Sequence, residues 1–427
     1  MTTHAWLAAS ILLAANAGAN TRPVDTYWAY QFVDSVGVNT HLRHERTFYD
    51  QHFDLLKERL LAARIKHIRD SALDQDGGFS ARDRAERFRE LGEAGIRVTF
   101  VFRPMVTREF VQGFPERVRP AFEAYELPNE LNLQKNLPWV ETLRVWMPLL
   151  AQYVREDPQT ARFPIVGPSI ADKGGDPQKL LGDQQRALDF GNLHKYYRAF
   201  NPGTEGYGRR GSPPCEAWRY GALPFALCQM RRISGDKPMV CTESGYITNG
   251  PSARSVTPEI QARYVARMLM LHLKAGIVRT FVYQLADSGS DEGAAMGLLT
   301  DDGGEKPAWR QLSALMEELD DRAEQGKPPP LEIDFDGELA NLESLLFAKR
   351  DGSYRLVLWL ESPSYDPVAA RALEVATQRV TLKLPRSFRT RGVTTFDNDG
   401  RARVRTLSTA TPQLAIGDNL SIVDIAR

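Results

Sequence analysis

Residues 122–154, FEAYELPNELNLQKNLPWVETLRVWMPLLAQYV, carry two different periods in one short span. FEAYEL (122–127) is a short apolar run suited to a buried strand, whereas WVETLRVWMPLLAQYV (139–154) spaces its apolar residues as one face of a helix does. Pro128 biases Leu127 toward extended backbone, so strand geometry persists to the end of the run, and the carboxylate of Glu130 follows just beyond it. Strand, polar loop and amphipathic helix make one β/α unit.

The unit repeats along most of the chain. Short apolar runs predict strands at VGVN (36–39), HIRD (67–70), RVTFVF (97–102), FEAYEL (122–127), FPIVG (163–167), FGNLH (190–194), KPMVCT (237–242) and RTFVYQL (279–285). Segments with helical spacing lie between them, among them FYDQHFDLLKERLLAARI (48–65) and EIQARYVARMLMLHLKAG (259–276). The second has Thr257-Pro258 as a start signal and Gly276 as a stop signal. Alternation of strands with helices implies parallel strands joined by crossovers, and eight such units predict a closed (β/α)8 TIM barrel.

The pattern breaks at DDRAEQGKPPP (320–330), where three consecutive prolines cannot continue a helix. Beyond it SLLFAKR, YRLVLWLE, RVTLKLP and LSIVDIAR alternate with turn signals such as Asp351-Gly352 and Asn398-Asp399-Gly400. The expected organisation is a barrel over residues 20–327 and a small C-terminal antiparallel β-domain, sandwich-like, over 331–427. The tail reads as a cap on the barrel rather than a second binding module.

Composition narrows the function classes. Hydrophobic residues at 42% and charged residues at 25% are ordinary for a globular protein with a large core. Lys plus Arg, at 54, equals Asp plus Glu, at 54, so no net basic charge draws the chain to nucleic acid or anionic lipid. Residues 1–19, MTTHAWLAASILLAANAGA, join an apolar run to Ala17-Gly18-Ala19, the small-residue pattern before signal cleavage, although no Lys or Arg precedes the run. The expectation is a secreted or periplasmic protein with no membrane span. Cys215 and Cys228 flank a loop and can pair after export, while Cys241 sits in an apolar strand and reads as packing. With no CxxC, no HExxH and scattered histidines, neither metal nor cofactor is expected. Oligomeric state is left open.

In a (β/α)8 barrel, chemistry sits at the C-terminal ends of the strands. Glu130 follows the fourth strand there and Glu243, in KPMVCTESGY, follows the seventh; the two strands face each other across the mouth. Two carboxylates converging on one cleft are what glycosidic bond cleavage requires, one to protonate the leaving oxygen and one to attack the anomeric carbon. An Asn-Glu pair alone is expected about once by chance in a chain this long. Its position, matched by the second glutamate, is what gives it meaning.

Leu-Pro-Asn129-Glu130, Thr242-Glu243-Ser-Gly and the strand count resemble the clan A retaining glycoside hydrolases, the group of cellulases and β-xylosidases that includes families 39 and 5. The resemblance covers roughly residues 30–325. It implies Glu130 as acid/base, Glu243 as nucleophile, and retention of configuration in a β-linked poly- or oligosaccharide substrate. It also implies that Arg69, in HIRD, keeps the nucleophile ionised, that Tyr196 of the His194-x-Tyr196 pair hydrogen-bonds it, and that Asn129 contacts the sugar 2-hydroxyl. His41 and Tyr283 are further candidates for contact with sugar. Strand three ends as FVFRP without the histidine motif of several families, and strand eight offers Tyr283 and Gln284 where tryptophan is common.

Two other functions fit the same residues: a catalytically inactive carbohydrate-binding barrel, and a transglycosidase in which an acceptor sugar replaces water. Trp139, Trp218, Tyr220 and Tyr246 are candidates for stacking on sugar rings, and Trp309 reads as core. GYGRRG (206–211) satisfies G-x-G-x-x-G, but no strand precedes it and no helix follows, so it reads as part of a loop excursion from strand six.

Overall fold

A computed structural model describes residues 20–21, 24–72, 79–171, 176–248, 254–288 and 295–427. The signal-like segment 1–19 lies outside the described residues. Eight parallel strands form the barrel: β1 (Val36–Asn39), β2 (His67–Ser71), β3 (Arg97–Val101), β4 (Phe122–Glu126), β5 (Ile165–Val166), β6 (Gly191–His194), β7 (Met239–Ser244) and β8 (Ile277–Val282). Each neighbours the next, β8 pairs back onto β1, and a parallel bridge between Val166 and Phe190 closes the ring between β5 and β6. Strand five is shorter than the 163–167 run suggests, and at its start the Asp189 carboxylate takes the Ile165 N–H at 2.9 Å.

Helices follow the strands in turn: α1 (Phe53–Ala62), α2 (Phe79–Glu93), α3 (Arg108–Arg117), α4 (Trp139–Glu156), α5 (Pro177–Leu181), α6 (Leu223–Ser234), α7 (Pro258–Lys274) and α8 (Pro307–Leu319). The start signal of α7 works as expected, Thr257 capping the N–H of Ile260. The helix expected over 48–65 is two pieces, Phe48–Gln51 and α1, because His52 leaves helical geometry. That break lets the adjacent Phe48 and Tyr49 both be buried, along with Leu56 and Leu60 of α1.

Inside the barrel the side chains form layers. His67, Glu123 and Arg279, with Asp34, plug the N-terminal end through ion pairs of 2.9–3.1 Å. Ala124, Val166, Val240 and Phe281 make an apolar layer above. A Cβ at Gly37 would lie 2.5 Å from the Phe281 ring, so the glycine makes room for that phenylalanine. The top layer, at the C-terminal ends, is polar: Asn39, Arg69, Glu126, Asn192 and Thr242, all buried.

The C-terminal domain is a two-sheet sandwich. Its six-stranded sheet contains Leu342–Ala348 and Tyr354–Leu360 and takes an edge strand, Thr26–Trp28, from before the barrel. The four-stranded sheet begins in the same way with Asn20–Thr21. YRLVLWL is apolar on both faces for a structural reason: Leu356 and Leu358 face the second sheet, and Val357 and Trp359 face the barrel core. A fully buried Arg267 on α7 joins the two domains, donating to both Glu361 oxygens, which Asn201 and Trp359 also contact.

Another buried group on α7 makes stability depend on pH. The His272 ring lies 2.9 Å from both the Tyr197 hydroxyl and Thr280 Oγ1, and burial pushes its pKa down to about 3. The unfolded chain takes up this proton as pH falls past about 6.5, and the folded chain does not until about 3. The stability contributed by His272 is therefore present above pH 6.5 and lost as pH falls, by about 2 kcal/mol at pH 5. His272→Gln should flatten this fall in urea unfolding at pH 7.5 and 5, since all other groups titrate alike in both proteins. Equal pH dependence in the two would refute the assignment.

Candidate active site

Two glutamates of the opening stretch, Glu126 and Glu130, have separate fates. Glu126 ends β4 pointing into the barrel and is 0% exposed. Glu130 lies four residues on, in left-handed backbone (φ 41°), a conformation that costs a non-glycine residue about 1–2 kcal/mol. Ser169, after β5, holds it there by accepting the Glu130 N–H on both its carbonyl and its hydroxyl oxygen, each at 3.1 Å. The carboxylate of Glu130 reaches the cleft.

Arg69, in the middle of β2, organises what lies beneath. A guanidinium has five N–H donors, and all five are used. Nε and one terminal nitrogen form a bidentate pair with Glu126 at 2.7 and 2.8 Å. The remaining three N–H groups reach Asn129 Oδ1 at 2.7 Å, Asn39 Oδ1 at 2.9 Å and Glu243 Oε1 at 2.7 Å. Burial alone would make this cation easier to deprotonate, but Glu126 and Glu243 more than offset it and hold the proton more firmly than usual. The Tyr196 hydroxyl donates to the other oxygen of Glu243 at 2.8 Å. Burial, reinforced by the Glu243 charge, pushes Tyr196 far above the ordinary tyrosine range, so it remains a donor. Glu243 thus presents both oxygens to hydrogen-bond donors.

His194 stands between the two carboxylates. Its Nδ1 lies 2.9 Å from Glu130 Oε1 and 3.3 Å from Glu243 Oε2. Its Nε2 lies 3.1 Å from Thr242 Oγ1. The proton on Nε2 follows from the neighbours. Asn192 donates through Nδ2 to Glu126 and Gly167, leaving Oδ1 to accept. The single Thr242 hydroxyl proton goes to that Oδ1 at 2.8 Å or to Glu126 at 3.2 Å. In either case the Thr242 oxygen must accept from Nε2–H. A neutral His194 therefore turns a bare Nδ1 toward Glu130, where it can accept the proton of a carboxylic acid.

One oxygen of Glu130, one of Glu243 and one nitrogen of His194 all lie within 4.8 Å of one another. By distance this is the one group among the described residues able to hold a metal ion. Arg69 and Tyr196 already donate to both oxygens of Glu243, however, which makes it a poor ligand. The residues open onto a cleft of about 1100 Å³. Tyr283 lines it, edge-on to Tyr196 at 6.4 Å between ring centres. His41 sits behind Tyr283, stacked on His44 at 4.7 Å, and burial pushes its pKa down to about 3. The far wall is the excursion after β6. It is tied to α6 by a Cys215–Cys228 disulfide and to Asp176 by a hydrogen bond from Ser212, while Gln229 of α6 donates to the other oxygen of Asp176. GYGRRG is a loop within it.

Six of the residues singled out from sequence, Glu130, Glu243, Arg69, His194, Tyr196 and Asn129, thus share one hydrogen-bond network, with Tyr283 in the cleft wall and His41 one shell behind. Of the aromatic candidates, Tyr220 lines the cleft. Tyr246 is buried between Tyr197 and Tyr264, and Trp139 packs on the core at the start of α4, so both are structural. Trp218 is exposed and is not part of the cleft wall. Trp309 is core, and Cys241 is buried with its thiol pushed up to about 12 by desolvation. Sequence reasoning missed Glu126, Asn192 and Thr242. The signal was period two: Asn192 lies two residues before His194 on the same strand face, and Glu126 is a charge at the end of an apolar run.

No protein-family model and no curated protein matches the sequence. Among solved structures, a family 39 glycoside hydrolase from the gut symbiont Bacteroides cellulosilyticus WH2 superposes with a TM-score of 0.62 at 15% identity, over 93% of this chain and 82% of the other. The α-L-arabinofuranosidase of Thermotoga maritima superposes with a TM-score of 0.57 at 10% identity, over 95% and 97%. At these identities the likeness is one of architecture: the chain shares the fold of these two enzymes, a barrel with a C-terminal β-domain.

Proposed function

We propose that the protein is a retaining glycoside hydrolase cleaving β-linked poly- or oligosaccharides, with Glu130 as acid/base and Glu243 as nucleophile. The observation that carries the reading is that one oxygen of Glu130 and one of Glu243 lie within 4.8 Å of each other at the floor of one cleft, which leaves the two carboxyl groups on the scale of a close pair. Retaining enzymes hold the pair about 5–5.5 Å apart, whereas inverting enzymes need about 6.5–9.5 Å to admit water between carboxylate and sugar. Glu130, protonated against the bare Nδ1 of His194, donates to the leaving oxygen as Glu243 attacks the anomeric carbon. The glycosidic C–O bond breaks and a glycosyl ester forms on Glu243. Glu130, now ionised, takes a proton from water, whose oxygen displaces Glu243 and restores both side chains. Asn129, whose Oδ1 is committed to Arg69, has its amide N–H groups left for the sugar 2-hydroxyl. The Cys215–Cys228 bond supports an exported enzyme, since disulfides persist in oxidising compartments.

Glu130→Gln provides the test. On natural glycans it should lower kcat by about 10²–10⁴, the usual contribution of a general acid. Aryl glycosides with acidic leaving groups need no proton, so their first step should survive and stall at the glycosyl-enzyme. Azide should restore turnover and yield the glycosyl azide with retained configuration. Equal losses on both substrate types, or an inverted anomer detected by NMR from the wild type, would overturn the assignment.

A further inference from the structure

Beneath the cleft floor lie three buried polar side chains, Glu126 on β4, Asn192 on β6 and Thr242 on β7. None of the three is among the described residues that line the cleft, so none meets a sugar seated in it. Buried polar groups cost stability unless each finds its partner, and an apolar layer would fill the same space without that demand. Glu126 is explained by the guanidinium of Arg69, whereas Asn192 and Thr242 have no charge of their own to answer. Their contacts lead instead to His194, which does line the cleft.

The direction of each hydrogen bond follows from one end. The Gly167 carbonyl, just after β5, can only accept, so the Asn192 atom 3.0 Å from it is the amide nitrogen. That nitrogen gives its second hydrogen to Glu126 Oε1 at 3.1 Å, an oxygen already paired with Arg69. Asn192 Oδ1 is then an acceptor, and the Thr242 hydroxyl at 2.8 Å supplies the hydrogen. Turned toward His194 instead, that hydrogen would leave Asn192 Oδ1 facing a lone pair. Thr242 Oγ1 can therefore offer Nε2 of His194, at 3.1 Å, only an acceptor, which puts the ring hydrogen on Nε2. Local charge at the other nitrogen favours the opposite arrangement. Nδ1 lies 2.9 Å from an oxygen of Glu130 and 3.3 Å from one of Glu243, so a hydrogen placed there would sit between two carboxyl groups. Such a ring would donate to Glu130, a contact that suits a carboxylate and not an acid.

We propose that Asn192 and Thr242 are positioning residues: with the Gly167 carbonyl they form a one-way hydrogen-bond chain that holds His194 as its Nε2–H tautomer and keeps Nδ1 as the acceptor for the acid proton of Glu130 until the leaving oxygen takes it. No proton travels along the chain; each hydrogen stays on its donor. The effect on turnover rests on the glycosidase reading, and the tautomer does not. The two ring nitrogens are distinguished by long-range proton–nitrogen NMR correlation of the full-length protein carrying isotope-labelled histidine, with His194 assigned as the ring lost in His194→Gln. The wild type should show a bare Nδ1 and a protonated Nε2. Thr242→Val, which removes the hydroxyl and keeps the branched shape, should reverse the two, and Thr242→Ser should restore them. Thr242→Val should also lower kcat/KM on natural glycans about tenfold or more, part of what a general acid contributes. Aryl glycosides with acidic leaving groups need no proton and should lose far less, so the ratio of the two rates moves, and serine should bring most of it back. A thermal melt verifies the fold of each variant. The wild-type tautomer is read without any substitution, so a variant that failed to fold would not shield the proposal.

A hydrogen on Nδ1 in the wild type, an imidazolium protonated on both nitrogens, an unchanged tautomer in folded Thr242→Val, or a reversed tautomer that left the ratio of glycan to aryl glycoside turnover where it was would each overturn the proposal. Glycan cleavage by a wild type lacking the Nε2–H tautomer would remove the proposal and leave the glycosidase. The expected tautomers in wild type and variants, without cleavage of any glycan, would support the chain and remove the glycosidase.

Discussion

Glu243→Gln should reduce turnover by roughly four orders of magnitude or more, on the scale seen when a hydrolase loses its nucleophile, and should do so without unfolding the protein. The carboxylate accepts from Arg69 on one oxygen and from Tyr196 on the other. An amide has one acceptor oxygen, which can remain toward Arg69, the partner that cannot accept. Its NH2 then faces Tyr196, whose hydroxyl can turn from donor to acceptor. Hydrogen bonding is therefore conserved while nucleophilicity is lost. The measurement is kcat on the best substrate from a polysaccharide panel, read beside a thermal melt. Full activity in a folded variant would remove Glu243 from the mechanism. Loss of activity together with loss of folding would show instead that its negative charge is needed by Arg69.

Arg69→Met should be the most damaging change to stability in the site. It removes five hydrogen bonds and leaves Glu126, wholly buried, and Glu243, 8% exposed, without the cation between them. Breaking a buried ion pair from one side costs about 3–5 kcal/mol, because the remaining charge stays desolvated. The sign can be checked by a second change. Glu126→Gln in the Arg69→Met background removes one of the stranded charges, so the double variant should be more stable than the single, a non-additivity read by urea unfolding. If the second substitution destabilises further by its usual amount, the two side chains are not energetically coupled and the account of the cluster fails. Activity should not return in the double variant, since Glu243 still lacks its strongest donor.

The pair of glutamates in AYELPNELN shows how far local information reaches. Strand and helix periods are set by neighbours a few residues apart, so the eight strand–helix units, the start of α7 and the placement of Glu130 and Glu243 at the C-terminal ends of strands four and seven were legible from the chain alone, although β7 runs on through Glu243 to Ser244. The resemblance to clan A glycoside hydrolases added Arg69, His194 and Tyr196 to one site. What Glu126 does was not legible, because its partners lie 57 residues away at Arg69, 66 away at Asn192 and 116 away at Thr242. The same holds for Tyr246 and Trp139, whose aromatic surfaces suit a sugar or a core equally well until packing chooses, and for Thr26–Trp28, which completes a sheet built mostly from residues beyond 340. Sequence by itself determined the units and the rim positions of Glu130 and Glu243, since both depend on local backbone preference. Only closure of the barrel decided which polar groups face one another inside it, because those hydrogen bonds connect residues that meet in space and nowhere along the chain.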